Sequence, residues 1–154
     1  MSAKFYKTNQ LELLEAAKVA TKSTGWRNDA VAWGMRYADD QPPVAVIVFQ
    51  AFEGVAAEMH FGMMNGHQMG PELVEAAFLL AFHPRSFGLM TLFAPISISN
   101  VPAQVAALKV GFQVDYRKPA ITPGAEDAIV FSMRRWEASG STAAYETQDA
   151  TQGG

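Results

Sequence analysis

Apolar and polar positions along this chain change period several times, and each change marks an element. Over residues 9–22 the repeat is helical: Leu11, Leu14, Val19 and the alanines mark one face, and Glu12, Glu15 and Lys18 the other. Asn9 is the expected N-cap of this amphipathic helix, and Gly25 either stops it or begins the following turn. The spacing then shortens. Residues 30–37 alternate loosely and run into Asp39, Asp40, Gln41, Pro42 and Pro43, a strong breaker. Residues 44–52 are almost continuously apolar, as in a strand buried on both faces. Glu53 and Gly54 make a tight turn into residues 55–63, so these two runs predict an antiparallel hairpin. In its second arm Val55, Ala57, Met59, Phe61 and Met63 share one face, and Ala56, Glu58, His60 and Gly62 the other.

A Gly-punctuated loop, Asn65 to Gly70, leads into a helix over 71–82 that opens on Pro71, where the missing N–H costs nothing. Leu73, Ala77, Leu80 and Ala81 line one side of it, and Val74, Phe78 and Phe82 an adjacent one. So wide an apolar surface predicts a helix packed on a sheet. His83 is expected to meet the carbonyls at the helix end. Residues 89–96 read as a strand, with Pro95 near its end, where a ladder bond can be spared. Ser99 or Asn100 caps a short Ala-rich helix with Pro102 in its first turn, and Gly111 supplies a left-handed stop. Residues 112–117 and 127–135 are the last two strands. The order predicts an α+β or mixed α/β fold. Residues 55–63 and 89–96 are expected to run parallel on either side of the helix from Pro71, because their link is a strand-helix-strand crossover. Residues 1–137 are expected to form one domain, and 138–154, polar and without apolar period, a flexible tail.

Composition narrows the function. Of 154 residues, 49% are hydrophobic, enough for a sizeable core. A net charge of −3 with scattered Lys and Arg gives no footprint for bulk nucleic-acid binding. The absence of cysteine excludes disulfides, a thiolate nucleophile and cysteine-ligated zinc. Three dispersed histidines match no metal-ligand spacing. No apolar run is long enough for a bilayer and the first residues lack a signal-peptide core, so the expectation is a cytoplasmic protein without membrane contact.

Asn100, Ala103, Lys109, Gly111 and Phe112 fall at intervals that resemble the C-terminal half of the GNAT acyltransferase family: Asn, Ala three later, a Leu-Tyr pair, Lys, then Gly-Phe. The upstream order of hairpin, Gly-containing loop and helix, and the closing strand ending in Met133 to Trp136, also look like that family. The resemblance covers about 44–136 and looks nearest to short phage- and prophage-encoded members. It implies a mixed sheet with antiparallel N-terminal strands and a splayed parallel pair, with acetyl-coenzyme A as co-substrate. It implies an unidentified amine as the acceptor, attacking the thioester directly. By position Gly66, His67, Gln68, Met69 and Gly70 would be the pyrophosphate loop, and Asn100 would lie near the pantetheine arm. Two departures stand out. The loop is one residue shorter than the family pattern, carries no Lys or Arg, and is followed by Glu72; and Ala107 stands where the family places the Tyr that protonates the departing thiolate.

Glu58 and His60 lie about 7 Å apart along one face of a strand. They are the candidate general base, against the alternative of a solvent-facing or purely structural pair. His67 is a phosphate donor or an exposed loop residue, and Asn100 a cap or a ligand contact, the cap being favoured. Ser97 and Ser99 line an acceptor tunnel or satisfy backbone groups, and Met59, Met63, Met64 and Met69 read as adaptable packing around the loop. Two functions follow: an acyl-coenzyme A-dependent N-acyltransferase, or a GNAT-like domain without transfer activity serving as a structural or binding protein, for example in a virion. Self-association or virion partners are compatible with both.

Overall fold

The computed structural model describes residues 3–138. It comprises two compact units, one up to Ala77 and one from Phe78. Among the described residues there are seven strands and three α-helices, a mixed α/β composition as expected.

The first unit holds β1 (Lys4–Tyr6), α1 (Gln10–Thr21), β2 (Val31–Arg36), β3 (Ala45–Glu53), β4 (Ala56–Met63) and the start of α2 (Pro71–Phe82). Neighbouring strands pair antiparallel in the order β1, β2, β3, β4. β1 has no counterpart in the sequence reading, because three residues are too few to display a period. Val44 through Gln50 are buried in succession, as the unbroken apolar run required.

α1 buries a different stripe from the one expected. Leu13 and Ala17 are in the core with Leu14 and Ala20 partly buried, while Leu11 is 88% and Val19 76% exposed. At 3.6 residues per turn, Leu11 and Val19 point roughly 100° or more away from the centre of the buried stripe. The cap is also different. Asn9 sits at φ 60 and its side chain makes no capping bond, and its carbonyl accepts the N–H of Leu13 at 3.0 Å. Gln10 anchors the helix start: Nε2 donates to the carbonyls of Lys7 (2.9 Å) and Ala32 (2.7 Å), and Oε1 accepts the N–H of Ala32 at 2.9 Å. Lys22, rather than Gly25, takes the left-handed position that ends the helix.

β3 has a core on each face. Val46 and Val48 pack with Leu13, Ala17 and Ala32, while Val44 and Ala45 cluster with Met35 and Leu73. Opposite residues of an antiparallel pair share a face. Gly62 lies opposite Val46, His60 opposite Val48 and Glu58 opposite Gln50, so all three β4 residues are on the α1 side. Beyond Gln50 the register slips by one residue, with Ala51 at φ 54, before the Glu53–Gly54 turn closes the hairpin.

In the second unit β7 (Ala128–Arg134) lies between β5 (Thr91–Ser97) and β6 (Gln113–Lys118), antiparallel to both. Phe82, Leu92, Phe131 and Met133 are fully buried, and the Phe78 ring packs 6.1 Å from that of Phe112. Pro95 occurs within β5, opposite Val130. α3 (Val101–Lys109) is capped by Asn100, whose side-chain oxygen accepts the N–H of Ala103 at 3.3 Å; Gly111 follows at φ 107, the expected left-handed stop. The buried His83 ring accepts the N–H of Arg85 on Nδ1 at 3.0 Å. A 3-10 turn, Arg135–Glu137, ends at the buried Ala138. The rest of the expected tail lies outside the described residues. Among the described residues no helix is long and apolar enough to cross a membrane.

Candidate active site

The register of β3 and β4 brings three polar side chains together on the face covered by α1. His60 Nε2 lies 3.2 Å from Glu58 Oε1. Gln50 Nε2 lies 3.2 Å from the same carboxylate oxygen and 3.4 Å from His60 Nε2. The side chains of His60 and Glu58 are only 15% and 18% exposed, and Gln50 is buried. The loop after α1 closes the group from one side. The Trp26 ring meets His60 edge-on at 5.3 Å and its Nε1 donates to the carbonyl of Leu14 at 2.8 Å, while the N–H of Arg27 donates to Gln50 Oε1 at 2.8 Å.

Hydrogen bonding to His60 holds the Glu58 carboxyl below the usual carboxylate range. Burial opposes this; the charge of His60, the Gln50 amide and the charge of Arg27 reinforce it. A carboxylate kept ionised beside an imidazole accepts its ring N–H and orients the ring. The expected Glu58–His60 pair is thus brought into direct contact. Gln50 and Trp26 were not among the residues singled out from the sequence. Gln50 carried a signal, being the first polar residue after an apolar run that starts at Val44; Trp26 carried none, because its loop has no period.

Residues Asn65 to Met69 are exposed and precede α2. Asn65 at φ 54 and Gly66 at φ 77 form a left-handed pair, held by Asn65 Nδ2 donating to the carbonyl of Pro43 (2.6 Å) and the N–H of His67 donating to that of Met64 (3.1 Å). A Cβ placed on Gly66 or Gly70 would meet nothing within 4 Å, so the backbone of the loop is open to an approaching group. The amides of Glu72 and Leu73 belong to the first turn of α2, where a helix supplies no carbonyl partner. Of the methionines, Met63 packs with Met35 and Leu73, Met64 with the α1-side core, Met59 is buried, and Met69 is exposed in the loop itself. Ser99 Oγ donates to Glu126. Asn100 and the buried Ala107 belong to α3 in the second unit.

No protein-family model matches this sequence, and no curated protein matches it. Solved structures do. Spermidine/spermine N-acetyltransferase SpeG from Vibrio cholerae, in complex with manganese ions, is similar over 96% of this chain and 96% of its own, at 11% identity and a TM-score of 0.66. A mutant of the same enzyme is similar over 90% and 97%, at 10% identity and a TM-score of 0.69. An acetyltransferase from T. thermophilus, described as putative, is similar over 90% of this chain and 71% of its own, at 19% identity and a TM-score of 0.63. At these identities the likeness is one of fold, and it agrees with the intervals from Asn100 to Phe112. The fold of this chain is that of the GNAT acetyltransferases.

Proposed function

We propose that this chain transfers an acyl group, acetyl in the first instance, from acyl-coenzyme A to an amine. The observation that carries this reading is the Glu58–His60 contact at 3.2 Å, shielded from solvent on a fold used by acetyltransferases. With Nε2–H donated to Glu58, the neutral imidazole keeps a lone pair on Nδ1. Nδ1 accepts the proton of the acceptor amine as the amine nitrogen attacks the thioester carbonyl. Glu58 stays ionised and pairs with the imidazolium that forms. Collapse of the tetrahedral adduct breaks the carbon–sulfur bond. Water protonates the thiolate, because Ala107 offers no acid at the position the family resemblance gives to Tyr.

The backbone from Gly66 to Gly70 and the first-turn amides of α2 suit the diphosphate of the co-substrate, with the exposed side chains of His67 and Gln68 beside them. Met69 contributes its backbone. Asn100 spends its side-chain oxygen on the cap of α3, the role favoured for it. Several neighbours are spermidine N-acetyltransferases, and an ionised Glu58 suits a cationic amine, so spermidine is the first acceptor to test.

Ala107 and Glu72 favour a second reading, a GNAT-like structural or binding protein, such as a virion component, without transfer activity. Calorimetry with acetyl-coenzyme A separates the two. Acyl transfer predicts a dissociation constant on the order of 0.1–1 mM, because loop amides act without a basic side chain. No detectable binding at millimolar ligand removes the enzyme reading and leaves the structural one.

A further inference from the structure

We propose that Gln50 is a positioning residue that selects which nitrogen of His60 carries the proton. Gln50 is 6% exposed and its amide orientation is fixed from behind: the N–H of Arg27 is a donor at 2.8 Å, so the atom facing it must be the amide oxygen. The NH2 group therefore faces Glu58 and His60. Both Gln50 Nε2 and His60 Nε2 lie 3.2 Å from one atom, Glu58 Oε1, and 3.4 Å from each other.

The neutral ring has two tautomers to fit into this triangle. In one, Gln50 and His60 both donate to Glu58 Oε1, and Nδ1 of the neutral ring is the lone-pair nitrogen. In the other, Gln50 donates to His60 Nε2, which sets two acceptors, Nε2 and an ionised Oε1, against each other at 3.2 Å. The second sets two negative acceptor atoms against each other in a water-poor site, whereas in the first the two donors, 3.4 Å apart, converge on one ionised oxygen that attracts both. The first also uses the shorter pair of distances. Gln50 thereby holds Glu58 Oε1 in place with a donor that cannot itself titrate, and fixes the tautomer as Nε2–H. The inference rests on the acyl-transfer reading only for the purpose of the free Nδ1; the tautomer itself stands or falls without it.

The test is nitrogen NMR of the ring of His60 in the full chain with labelled histidine, assigned by loss of signal in His60→Gln and read where titration shows the ring neutral. The wild-type ring is expected as the Nε2–H form. Gln50→Met, which removes donor and acceptor at similar volume, is expected to lower the ratio of Nε2–H to Nδ1–H by about five-fold, the equivalent of the one net His60–Glu58 hydrogen bond that is lost when Glu58 Oε1 is no longer held in place. A wild-type ring found as Nδ1–H overturns the proposal, and this measurement does not depend on Gln50→Met folding. A folded Gln50→Met protein with an unchanged ratio overturns it too. Loss of the Nε2–H preference in Gln50→Met, with a wild type that transfers acetyl neither to spermidine nor to any other amine tried, would uphold the positioning role and reject the acyl-transfer reading. Transfer with an unchanged ratio would do the reverse.

Discussion

The carboxylate of Asp29 accepts the N–H of Ala51 at 3.0 Å, with its second oxygen accepting that of Phe52 at 2.8 Å. Ala51 is the point where β3 gains an extra residue, at a φ of 54 that a non-glycine residue adopts only with help. The bulge sits immediately beyond Gln50 and Glu58, so one exposed carboxylate secures the end of the strand pair that carries the candidate site. Those two backbone bonds hold the Asp29 carboxyl below its usual range. A lowered folded value means the stabilisation is present above the unfolded carboxylate value and lost as pH falls through the folded one. Asp29→Ala is therefore expected to lower the melting temperature at neutral pH and to leave the acid limb of the melting profile shallower than in wild type. Thermal melts from neutral pH into the acid range check both.

Gly62 on β4 is required by α1. A Cβ there would lie 2.7 Å from Ala20 Cβ and 3.2 Å from the Ala20 carbonyl carbon, so the helix backbone itself would have to move. Gly62→Ala is expected to cost about 1–3 kcal/mol by overpacking, read from urea unfolding. Gly66→Ala meets no atom but keeps a strained φ of 77, and is expected to cost no more than about 1 kcal/mol.

The contrast between these glycines shows which parts of the fold were legible. The hairpin was legible because two apolar runs joined by Glu53 and Gly54 allow one pairing, and the faces of β4 followed from its period of two. That put Glu58 and His60 on one side. Their contact with Gln50 was not legible, because it depends on cross-strand register, which a one-residue slip at Ala51 alters within the same hairpin. The buried stripe of α1 differs from the face its period suggests because alanines mark several faces at once, which lets Leu11 and Val19 join a face that the structure leaves exposed. Asn9 has the right residue type for a cap, but its backbone is left-handed and Gln10 takes over the anchoring.

Glu72 lies in the exposed first turn of α2, beside the amides assigned to the diphosphate. Its charge suits the helix dipole and repels a bound anion. Glu72→Gln is expected to tighten acetyl-coenzyme A binding several-fold at low salt, with the gain shrinking as ionic strength rises and screening shortens its reach. Calorimetry at two salt concentrations measures it; an equal gain at both would assign the effect to something other than charge.

Lowering the pH through the depressed folded value of Glu58 should remove the stabilisation its contacts give, which is fully present above the ordinary carboxylate value. Glu58→Gln keeps the shape and discards the charge, so its stability is expected to change less than that of wild type across this acid range. Parallel urea titrations at neutral and acid pH give the comparison.

Release of free coenzyme A thiol from acetyl-coenzyme A in the presence of spermidine bears most directly on the acyl-transfer claim. The wild-type chain is expected to release thiol in step with acetylated amine, and His60→Ala to lose about a hundred-fold or more of that rate, the usual contribution of a general base, while binding acetyl-coenzyme A as before. Equal rates in the two proteins, or acetyl-coenzyme A bound by the wild type with no thiol released to spermidine or any other amine tried, would contradict it.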